Sequence, residues 1–583
     1  MNRNIREKNH TADICVVGGG LAGMCAALSA ARHGCKVILI HDRPVFGGNC
    51  SSEIRMWPMG SHGSNRRETG IFEEILLENM RVNPRRTYPI WDAVLYRIMH
   101  SCENLTNIMN CSVNDAEMNG SVIRSVTGWQ LTTYTTHRVT ANLFIDCSGD
   151  SILGLLSGAE KMRGREARSL YGEAAAPEIA DSSTMGNSLL LQARQTDRPA
   201  PYTPPCEIRD LSEENLANRR HMPSDLRNNY WWIELGGDSD TLYDSEKITE
   251  KLLPLTYGVW DHIKNGGEHD AANWELDWVG FLPGKRESYR LKGDYVLNQN
   301  DVSSGVHFDD VIAYGGWKVD DHPPKGFDYK GEPTHYYPTT SPFEIPYRCI
   351  YSANIQNLMF AGRNISVSHC ALAASRVMAT CAMLGQAAGA AAYLAKKYNI
   401  TPRDVQQHRE ELQQLLMRDD CWIPGQKRKT SALCQSAVLT CRCGDVEMLR
   451  NGIDRPTDEE GDNGAFIPLG CSVRYTLPAP AYIKKIHFVF DSDLNRKTVG
   501  GISEIADCPT ICNRPMDMPP FEFPATMTAS FDLLADGKLF KHIEGNYQRN
   551  VTITVEKEIK TIEWKPLSTF GAPTAHIFAF DFE

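Results

Sequence analysis

The sequence predicts an α/β protein with a Rossmann-like fold, an inserted α+β region and a C-terminal all-β sandwich of the jelly-roll type. Three observations predict it: a glycine-rich turn between a strand and a helix near residue 18, a strand, loop and small-residue helix after residue 357, and short alternating strands after residue 437. The predicted ranges are 1–150 and 348–420 for the two parts of the Rossmann-like domain, 151–347 for the insertion and 421–583 for the sandwich.

The composition is that of a globular protein. Its 583 residues allow roughly four domains of about 150 residues, or two large ones. Hydrophobic residues make up 42% and charged residues 23% of the chain, which excludes a disordered or fibrous protein. A formal net charge of −11 argues against a dedicated surface for nucleic acid or an anionic membrane. We therefore expect a small-molecule partner, and homo-oligomerisation stays open.

The cysteines favour a reducing compartment. The 18 cysteines are too few for a disulfide scaffold in a chain of this length, and several lie within apolar stretches. The closest spacings, Cys441-x-Cys443 and Cys508-x3-Cys512, lack a second ligand pair at zinc-finger distance. The sequence thus predicts reduced thiols and no metal site.

The N-terminus and the most apolar stretch also favour a cytoplasmic protein. Residues 1–10 are polar and charged, without the apolar segment of an export signal. Residues 371–395 contain Arg376 and Gln386 and are rich in Ala and Gly rather than Leu and Ile. This composition predicts a buried helix rather than a membrane span.

A strand–turn–helix–strand unit occupies residues 13–40. Its parts are a strand over 13–17, the turn Gly18-Gly19-Gly20-Leu21-Ala22-Gly23, a helix over 24–33 and a strand over 35–40. Three glycines at this spacing are a weak signal alone, but between a strand and a helix they are a dinucleotide-binding fingerprint. Gly18 permits the tight turn, Gly20 lets a pyrophosphate approach the helix N-terminus, and Gly23 allows close packing of helix on strand.

An acidic residue follows the second strand, where it can accept hydrogen bonds from a ribose. Asp42 lies nineteen residues after Gly23. At this point the chain resembles the flavin-dependent oxidoreductases with two dinucleotide-binding domains, in which the acid usually follows the strand directly. Here His41 has that place and Asp42 comes one residue later. The resemblance covers most of 13–397, with particular likeness to a broad group of FAD-dependent oxidoreductases, and it implies FAD as the cofactor.

The resemblance implies further FAD contacts in three segments. The loop 43–53 has paired glycines followed by small polar residues, and the matching loop of similar flavoproteins lies along the isoalloxazine ring; a surface turn is the alternative. The strand over 143–146 and the unit 357–389 return to the first sheet in that family, and the helix N-terminus of the later unit stabilises reduced flavin. The FAD-binding residues predicted from these segments and the residues directly after the strand are Arg43, Gly47, Gly48, Asn49, Ser51, Gly149, Asp150, Gly362, Arg363, Gly385 and Gln386. Val113, at the end of a predicted strand over 106–113, is predicted to bind FAD as well.

Histidines and arginines near these motifs are the candidate catalytic residues. His369 precedes the predicted flavin-facing helix and can remove a hydroxyl proton as hydride leaves, or only orient the loop. His62 can be a second base, a site of covalent flavin attachment or a structural histidine. Arg55, Arg363 and Arg376 can anchor a carboxylate, stabilise reduced flavin or serve structure alone.

The C-terminal segment alternates β-branched and aromatic residues with turns, as in 483–491 and 551–555. It resembles a galactose-binding-like jelly roll. Such folds often bind carbohydrate, but others are structural appendages or interfaces. In the insertion, aromatic residues such as Trp231 and Trp317 can stack on a sugar or fill a core.

These observations lead to one functional hypothesis and two alternatives. The hypothesis is an FAD-dependent oxidoreductase that oxidises a hydroxylated small molecule or carbohydrate by hydride transfer to flavin N5, with an unidentified electron acceptor. The first alternative is reduction of an activated C=C bond, as flavoproteins of the fumarate-reductase type perform. The second is a carbohydrate-binding or assembly protein that retains FAD only structurally.

Overall fold

The computed structural model describes residues 5–458, 461–496, 505–506 and 508–583. The chain forms two compact units. The first comprises Met1–His62, Arg85–Leu412 and Lys497–Pro520, and the second comprises Gly63–Pro84, Gln413–Arg496 and Phe521–Glu583.

Strands and helices alternate in the first part of the chain, and strands dominate the last part. In chain order the strands are β1 (Arg6–Val17), β2 (Val37–Ile40), β3 (Leu105–Ile108), β4 (Cys111–Asn119), β5 (Val122–Gln130), β6 (Thr135–Asp146), β7 (Lys161–Met162), β8 (Asn187–Ser188), β9 (Leu191–Gln195), β10 (Glu234–Leu235), β11 (Trp274–Val279), β12 (Gly284–Lys285), β13 (Arg290–Leu291), β14 (Val311–Gly315), β15 (Val319–Asp321), β16 (His335–Tyr337), β17 (Phe343–Pro346), β18 (Leu358–Phe360), β19 (Val438–Cys441), β20 (Ala465–Pro468), β21 (Val473–Phe490), β22 (Asn513–Arg514), β23 (Thr528–Ala535), β24 (Lys538–Ile543), β25 (Asn550–Thr569) and β26 (Thr574–Phe582). The α-helices are α1 (Leu21–Arg32), α2 (Ile71–Val82), α3 (Tyr88–His100), α4 (Ile152–Ser157), α5 (Arg168–Tyr171), α6 (Glu213–Leu216), α7 (Ser245–Asn265), α8 (Gln299–Ser304), α9 (His369–Ser375), α10 (Met378–Tyr398), α11 (Arg409–Arg418) and α12 (Ala432–Ser436).

The first unit is built on a sheet with the strand order β3-β2-β1-β6-β5-β4, and β18 also pairs with β6. The strands β1, β2, β3, β6 and β18 run parallel, while β4, β5 and β6 form an antiparallel meander. The predicted Rossmann-like architecture is confirmed. The late strand β18 joins the first sheet beside β6, so segments more than 200 residues apart in sequence meet at one sheet edge.

Close packing of α1 on α10 explains the small residues in both helices. A Cβ at Gly385 would lie 2.0 Å from the Ala22 carbonyl oxygen, and one at Gly389 would lie 2.3 Å from that of Ala26. Such contacts are far below van der Waals distance, so glycine is required at both positions. The helix α10 is long and apolar enough to cross a membrane, but 89% of its most apolar window is buried inside the protein.

The continuous helix predicted over 371–395 is two helices in the structure. The helix α9 ends at Ser375, and α10 begins at Met378 after Val377, which has an extended conformation. The high content of Ala hides this break in the sequence, because alanine favours helix on both sides of it.

The insertion has a core of its own around α7. Buried side chains of this core include Tyr230, Trp260 and Trp274. Between β9 and β10 the chain runs for 38 residues with α6 as its only helix among the described residues. Segments of this length without regular structure are uncommon in compact domains.

The second unit contains an antiparallel sheet in the order β20-β26-β21-β25-β23-β24, with β19 paired to β21. Its long strands β21 and β25 include the predicted alternating stretches, and their inward side chains form an aromatic core around Phe488 and Trp564. The predicted all-β class of the C-terminal region is confirmed. One prediction was wrong here: Cys443 and Cys471 form a disulfide rather than two reduced thiols. Their separation of 28 residues gives no local signal for the pairing.

Candidate functional site

A cavity of about 420 Å³ opens at the carboxyl ends of the parallel strands in the first unit. Its walls include the residues directly after β1, β2, β6 and β18, which is the crevice where ligands of open α/β sheets bind. The predicted residues that line it are Gly18, Gly20, Asp42, Arg43, Gly47, Gly48, Asn49, Val113, Gly149, Asp150, Gly362, Arg363 and Arg376. The predicted residues that lie outside this lining are Gly23, Ser51, Gly385, Gln386, His62, His369 and Arg55.

The glycine turn after β1 has the geometry that the fingerprint predicts. Gly18 has φ +108°, and a Cβ there would lie 2.3 Å from the Cys147 carbonyl oxygen. A Cβ at Gly23 would lie 1.8 Å from the Gly18 carbonyl oxygen, so Gly23 closes the helix onto the turn. Gly20 differs, because the nearest atom to a Cβ placed there is the Gly48 Cα at 3.9 Å. Space therefore remains open at Gly20 alone of these three.

The N-terminus of α1 faces this open space. The helix begins at Leu21, and its N-cap residue Gly20 offers no side chain to the first-turn N–H groups. Leu21 and Ala22 line the cavity. Uncapped backbone N–H groups and the positive end of a twelve-residue helix form an anion-binding position.

The loop after β2 lies against the glycine turn. The Gly47 N–H donates to the Gly19 carbonyl oxygen at 2.9 Å, and a Cβ at Gly48 would lie 3.1 Å from the Gly20 Cα. The Asn49 side chain donates to the Lys285 carbonyl oxygen at 3.0 Å. Ser51 does not line the cavity, since its hydroxyl donates back to the Gly48 carbonyl oxygen at 2.7 Å and shapes the loop.

The residue that replaces the usual acid after β2 braces the glycine turn. The Gly19 N–H donates to His41 Nδ1 at 3.0 Å, so Nε2 carries the proton and donates to the Val45 carbonyl oxygen at 3.0 Å. A Cβ at Gly19 would lie 2.6 Å from the imidazole, which explains the middle glycine of the three consecutive ones. Asp42 lines the cavity with its side chain 58% exposed, where it is available to a ribose.

A buried carboxylate organises the segment after β6. Asp150 accepts hydrogen bonds from Lys285 Nζ at 2.6 Å, Arg363 Nη2 at 2.9 Å and Ser288 Oγ at 2.8 Å. Burial opposes ionisation of Asp150, but Arg363 and Lys285 outweigh burial and lower the pKa of its carboxyl. Gly149 has φ +76°, and a Cβ there would lie 2.6 Å from the Arg363 guanidinium. The ends of β6 and β18 are thus joined at the cavity wall.

The other end of the same cavity consists of side chains of which Trp231, Trp317 and Tyr336 belong to the aromatic residues that the sequence offers for stacking on a sugar, whereas the others were missed as site residues. They come from segments of the insertion and combine aromatic rings with polar groups: Arg220, Arg227, Asn229, Trp231, Trp317, Asp320, His322 and Tyr336. No short motif links these positions. The only signal in the sequence is the density of aromatic and charged residues in the insertion, such as Asp320 and His322 directly before two prolines.

The family model described as "FAD dependent oxidoreductase" matches residues 13–416. This chain belongs to that family. A fumarate reductase (cytochrome) of Shewanella frigidimarina is 59% identical over 39 residues, which are 7% of this chain and 7% of that protein. The chain therefore aligns with less than a tenth of the length of the curated relatives it matches.

Two solved structures resemble different parts of this FAD-dependent oxidoreductase. A geranylgeranyl bacteriochlorophyll reductase-like protein from Thermoplasma acidophilum is 13% identical, with coverage of 71% of this chain and 86% of that chain and a TM-score of 0.33. The family 32 carbohydrate-binding module of Streptococcus pneumoniae EndoD is 17% identical, with coverage of 26% of this chain and 99% of that chain and a TM-score of 0.19.

The residues at the strand ends fit the FAD that this family uses. The open space at Gly20, the uncapped helix and the adjacent glycine loop suit a diphosphate. Among the residues that the structure describes, the buried atoms Arg43 Nη1 and Arg363 Nε have no hydrogen-bond partner, and both residues line the cavity. Unsatisfied cationic donors beside an anion-binding turn are what an anionic dinucleotide requires.

The helix whose N-terminus opens into the cavity is α10. Val377 and Met378 line the cavity, and the N-cap residue Val377 has no side-chain hydrogen bond to the helix. Gly385 and Gln386 lie farther along α10 and are buried. The close approach of Gly385 to α1 gives it a packing role in place of the predicted contact with FAD.

His369 does not reach the cavity, which contradicts the geometry expected of a base. It is the first residue of α9 and is 2% exposed. Its Nδ1 lies 2.9 Å from a Glu287 carboxylate oxygen, and its Nε2 lies 3.1 Å from Asp321 Oδ1. Burial opposes protonation, but Glu287 and Asp321 outweigh burial and raise the pKa of His369 to about 10. An imidazolium between two carboxylates has no lone pair to accept a substrate proton.

The remaining predicted catalytic residues separate into two groups. Arg376 lines the cavity, where its guanidinium lies 3.3 Å from Asp320 Oδ2. His62 is exposed and stacks on Trp317 with ring centroids 4.3 Å apart, and partial desolvation lowers its pKa. Arg55 lies outside the cavity lining, 4.1 Å above the ring of Trp278 and hydrogen-bonded to Gln192.

Proposed function

We propose that this protein oxidises a hydroxylated small molecule, with carbohydrates as the preferred class, and that bound FAD accepts the hydride. The observation that carries the proposal is that one cavity contains both the glycine cradle and a wall of aromatic and polar side chains. Bound FAD supplies the hydride chemistry itself, so this chain has to position a substrate carbon and remove a proton.

The aromatic part of the wall suits the face of a sugar or polyol. Trp231, Trp317 and Tyr336 line the cavity, and Asn229 and Arg376 lie on the same lining. Aromatic faces beside hydrogen-bonding groups cover the C–H face of a polyhydroxylated ligand and leave its hydroxyls to polar partners. The imidazole of His62 stacks on the ring of Trp317, and this contact fixes the plane of the ring.

His322 is the proton acceptor that the geometry favours. Its Nδ1 lies 2.6 Å from Glu234 Oε2, and its Nε2 lies 3.4 Å from Asp320 Oδ1. Burial opposes ionisation of Glu234, but Arg286 and His322 outweigh burial and lower its pKa, so the carboxylate accepts the Nδ1 proton. His322 Nε2 has no hydrogen-bond partner among the described residues, whereas Nε2 of His369 is bonded to Asp321. Nε2 of His322 is therefore the atom that can take a substrate proton, and the carboxylate of Asp320 stabilises the imidazolium that forms.

The second candidate function is reduction of an activated C=C bond in an anionic substrate. The cations along the cavity favour it, among them Arg220 and Arg227. However, Lys285 and Arg363 share Asp150, and Arg376 faces Asp320, so much of this positive charge is neutralised inside the protein. A neutral hydroxylated substrate therefore suits the wall better than a carboxylate does.

Anaerobic mixing tests both candidates in the full-length protein. Oxidised holoprotein is mixed with a panel of polyols, sugars and hydroxy acids, and the flavin absorbance is followed. Bleaching by a neutral polyol or sugar supports the proposal. Chemically reduced protein that is reoxidised by enoates, without bleaching by any alcohol, supports the reductase instead. Binding of glycans with no change of flavin redox state favours the binding-protein alternative.

A further inference from the structure

Four side chains with metal-ligating atoms converge in the insertion, in a cluster that the flavin chemistry does not use. They are Glu213, His221, His262 and His269, and their ligand atoms all lie within 4.8 Å of one another. Glu213 begins α6, His221 lies in the irregular segment between β9 and β10, His262 lies in the last turn of α7, and His269 follows that helix. Two stretches of chain about fifty residues apart meet at this point.

The interatomic distances match a tetrahedral ion. His221 Nε2 lies 2.9 Å from His269 Nε2, and Glu213 Oε2 lies 3.0 Å from His262 Nε2 and 3.4 Å from His269 Nε2. Glu213 Oε1 lies 3.4 Å from His221 Nε2. Ligands about 2.0–2.1 Å from a tetrahedral zinc are separated by about 3.4 Å from one another. The three Nε2 atoms and the two carboxylate oxygens thus lie at separations of 2.9–3.4 Å in these contacts, close to the spacing of ligands around one ion.

Backbone carbonyls fix the orientation of two of the imidazoles. His221 Nδ1 lies 2.6 Å from the Arg219 carbonyl oxygen, and His262 Nδ1 lies 3.0 Å from the Leu211 carbonyl oxygen. A carbonyl only accepts, so each Nδ1 carries a proton and each ring directs its Nε2 into the cluster. This outer hydrogen bond on the second ring nitrogen is the usual arrangement of a histidine that binds a metal.

The three Nε2 atoms converge on one carboxylate. His262 Nε2 lies 3.0 Å from Glu213 Oε2, and the Nε2 atoms of His221 and His269 each lie 3.4 Å from an oxygen of the same carboxylate. The three imidazoles are buried, with side-chain exposures of 9%, 8% and 3% for His221, His262 and His269, while Glu213 is 66% exposed. The carboxylate of Glu213 lies at the surface above three buried imidazoles. An ion can therefore enter from solvent, and the carboxylate occupies the fourth coordination position.

We propose that this cluster binds one divalent transition-metal ion, with zinc as the preferred ion, in a closed His3Glu site of structural type. Three imidazole nitrogens and one carboxylate oxygen are a ligand set that suits zinc, whereas calcium and magnesium prefer oxygen ligands.

The ion would fasten the irregular segment to α7. That segment also supplies Arg220, Arg227 and Asn229 to the cavity, and Arg220 is the neighbour of His221. Arg219, whose carbonyl orients His221, is packed against Phe327 with its guanidinium 4.7 Å from the ring. Loss of the ion would loosen the segment that forms this part of the cavity wall.

Metal analysis of the full-length holoprotein tests the site. Protein from zinc-supplemented medium is dialysed and measured by inductively coupled plasma mass spectrometry, and zinc-edge X-ray absorption reports the ligands without interference from flavin. We expect about one zinc per chain, four-coordinate, with imidazole scattering. Metal-depleted wild-type protein titrated with zinc should regain a higher melting temperature, which keeps the test valid even where a variant folds poorly.

Matched variants locate the ion. His269→Gln and His262→Gln should each weaken zinc binding by at least the roughly 10–100-fold that loss of an outer-shell partner costs. The control is Cys441→Ser with Cys443→Ser and Cys471→Ser, because these cysteines become the other cluster of possible ligands among the described residues when the Cys443–Cys471 disulfide is reduced. Loss of zinc from the cysteine variant, with zinc retained in the histidine variants, would overturn the proposal. Wild-type protein that neither contains zinc nor is stabilised by it would overturn it as well. Because zinc content is measured independently of turnover, failure of the proposed oxidation reaction leaves this result intact.

Discussion

The two ends of the cavity differ in whether backbone or side chains line them. At the strand ends the wall is mainly backbone, in the glycine turn after β1, the Gly47-Gly48 loop and the N-terminus of α1. At the opposite end the wall is made of side chains such as Trp317 and His322. The backbone end binds by amide groups and shape, which any flavoprotein of this fold can share, and the side-chain end carries the chemistry that distinguishes substrates.

The two ends therefore differ in what a mutation does to them. The backbone end is sensitive to any added Cβ, because the contacts are already at or below van der Waals distance at Gly18 and Gly23. The side-chain end depends on ion pairs with little exposure to solvent, such as Glu234 with Arg286 and Asp320 with Arg376. Removal of one member of such a pair leaves the other charge buried and uncompensated.

The largest effect is expected from Gly20→Val, which fills the open space of the backbone end. Gly20 has φ −68°, so a β-branched residue is not excluded by the backbone itself. The side chain would occupy the path of the diphosphate, and we expect folded protein that has lost nearly all its FAD. Flavin absorbance per chain and circular dichroism measure the two quantities.

The matched control for that change is Gly34→Ala. Gly34 has φ +87° with nothing within 4 Å of a Cβ placed there, so alanine costs only backbone strain of roughly 1–3 kcal/mol. FAD content should stay at the wild-type level. If Gly20→Val protein still contains one FAD per chain, the diphosphate must bind elsewhere. The backbone end would then not have the role given to it here.

The next effect is that of His322→Gln at the side-chain end. The amide retains hydrogen bonding with Glu234 but takes no proton at neutral pH, so reduction of the flavin by the best alcohol should slow by about 10²–10⁴-fold. FAD content should not change. Anaerobic stopped-flow absorbance measures the rate.

His335→Gln is the control for that variant, since His335 is an exposed histidine of the neighbouring strand β16. It should reduce flavin at the wild-type rate. An unchanged rate in His322→Gln protein would remove His322 from the mechanism and leave Asp320 as the acidic group at this wall.

The fold and the backbone end were predictable from sequence because they depend on local patterns. A strand, three glycines at fixed spacing and an Ala-rich helix are contiguous, and Gly18, Gly20 and Gly23 lie where the fingerprint requires. His41 shows where the pattern is insufficient, because its role beneath Gly19 depends on a ring that reaches back across twenty residues. His322 was missed because its partners Glu234 and Asp320 come from different strands and share no motif with it. His369 was chosen for its place beside a motif, and only the fold reveals Glu287 and Asp321 on either side.

A third effect concerns the stability of the region around His369. The folded pKa of about 10 is above the ordinary value of 6.5, so the imidazolium stabilises the fold fully below pH 6.5, and this stabilisation is lost as the pH rises towards 10. We expect the free energy of unfolding to fall by roughly 3–5 kcal/mol across that range. Urea denaturation at several pH values measures it. In His369→Gln protein the dependence between pH 6.5 and 10 should be flatter, and an unchanged slope would show that other groups produce it.

The smallest effect separates Arg55 from Arg376, two arginines that the sequence does not distinguish. Arg55 lies outside the cavity lining and over the ring of Trp278, so Arg55→Gln should lower the free energy of unfolding by about 1–2 kcal/mol and leave KM unchanged. Arg376 lines the cavity beside Asp320, and Arg376→Gln should raise KM instead. Steady-state kinetics with the best alcohol and thermal denaturation compare the pair. If KM changes as much in Arg55→Gln protein as in Arg376→Gln protein, Arg55 also affects substrate binding, although it lies outside the cavity lining.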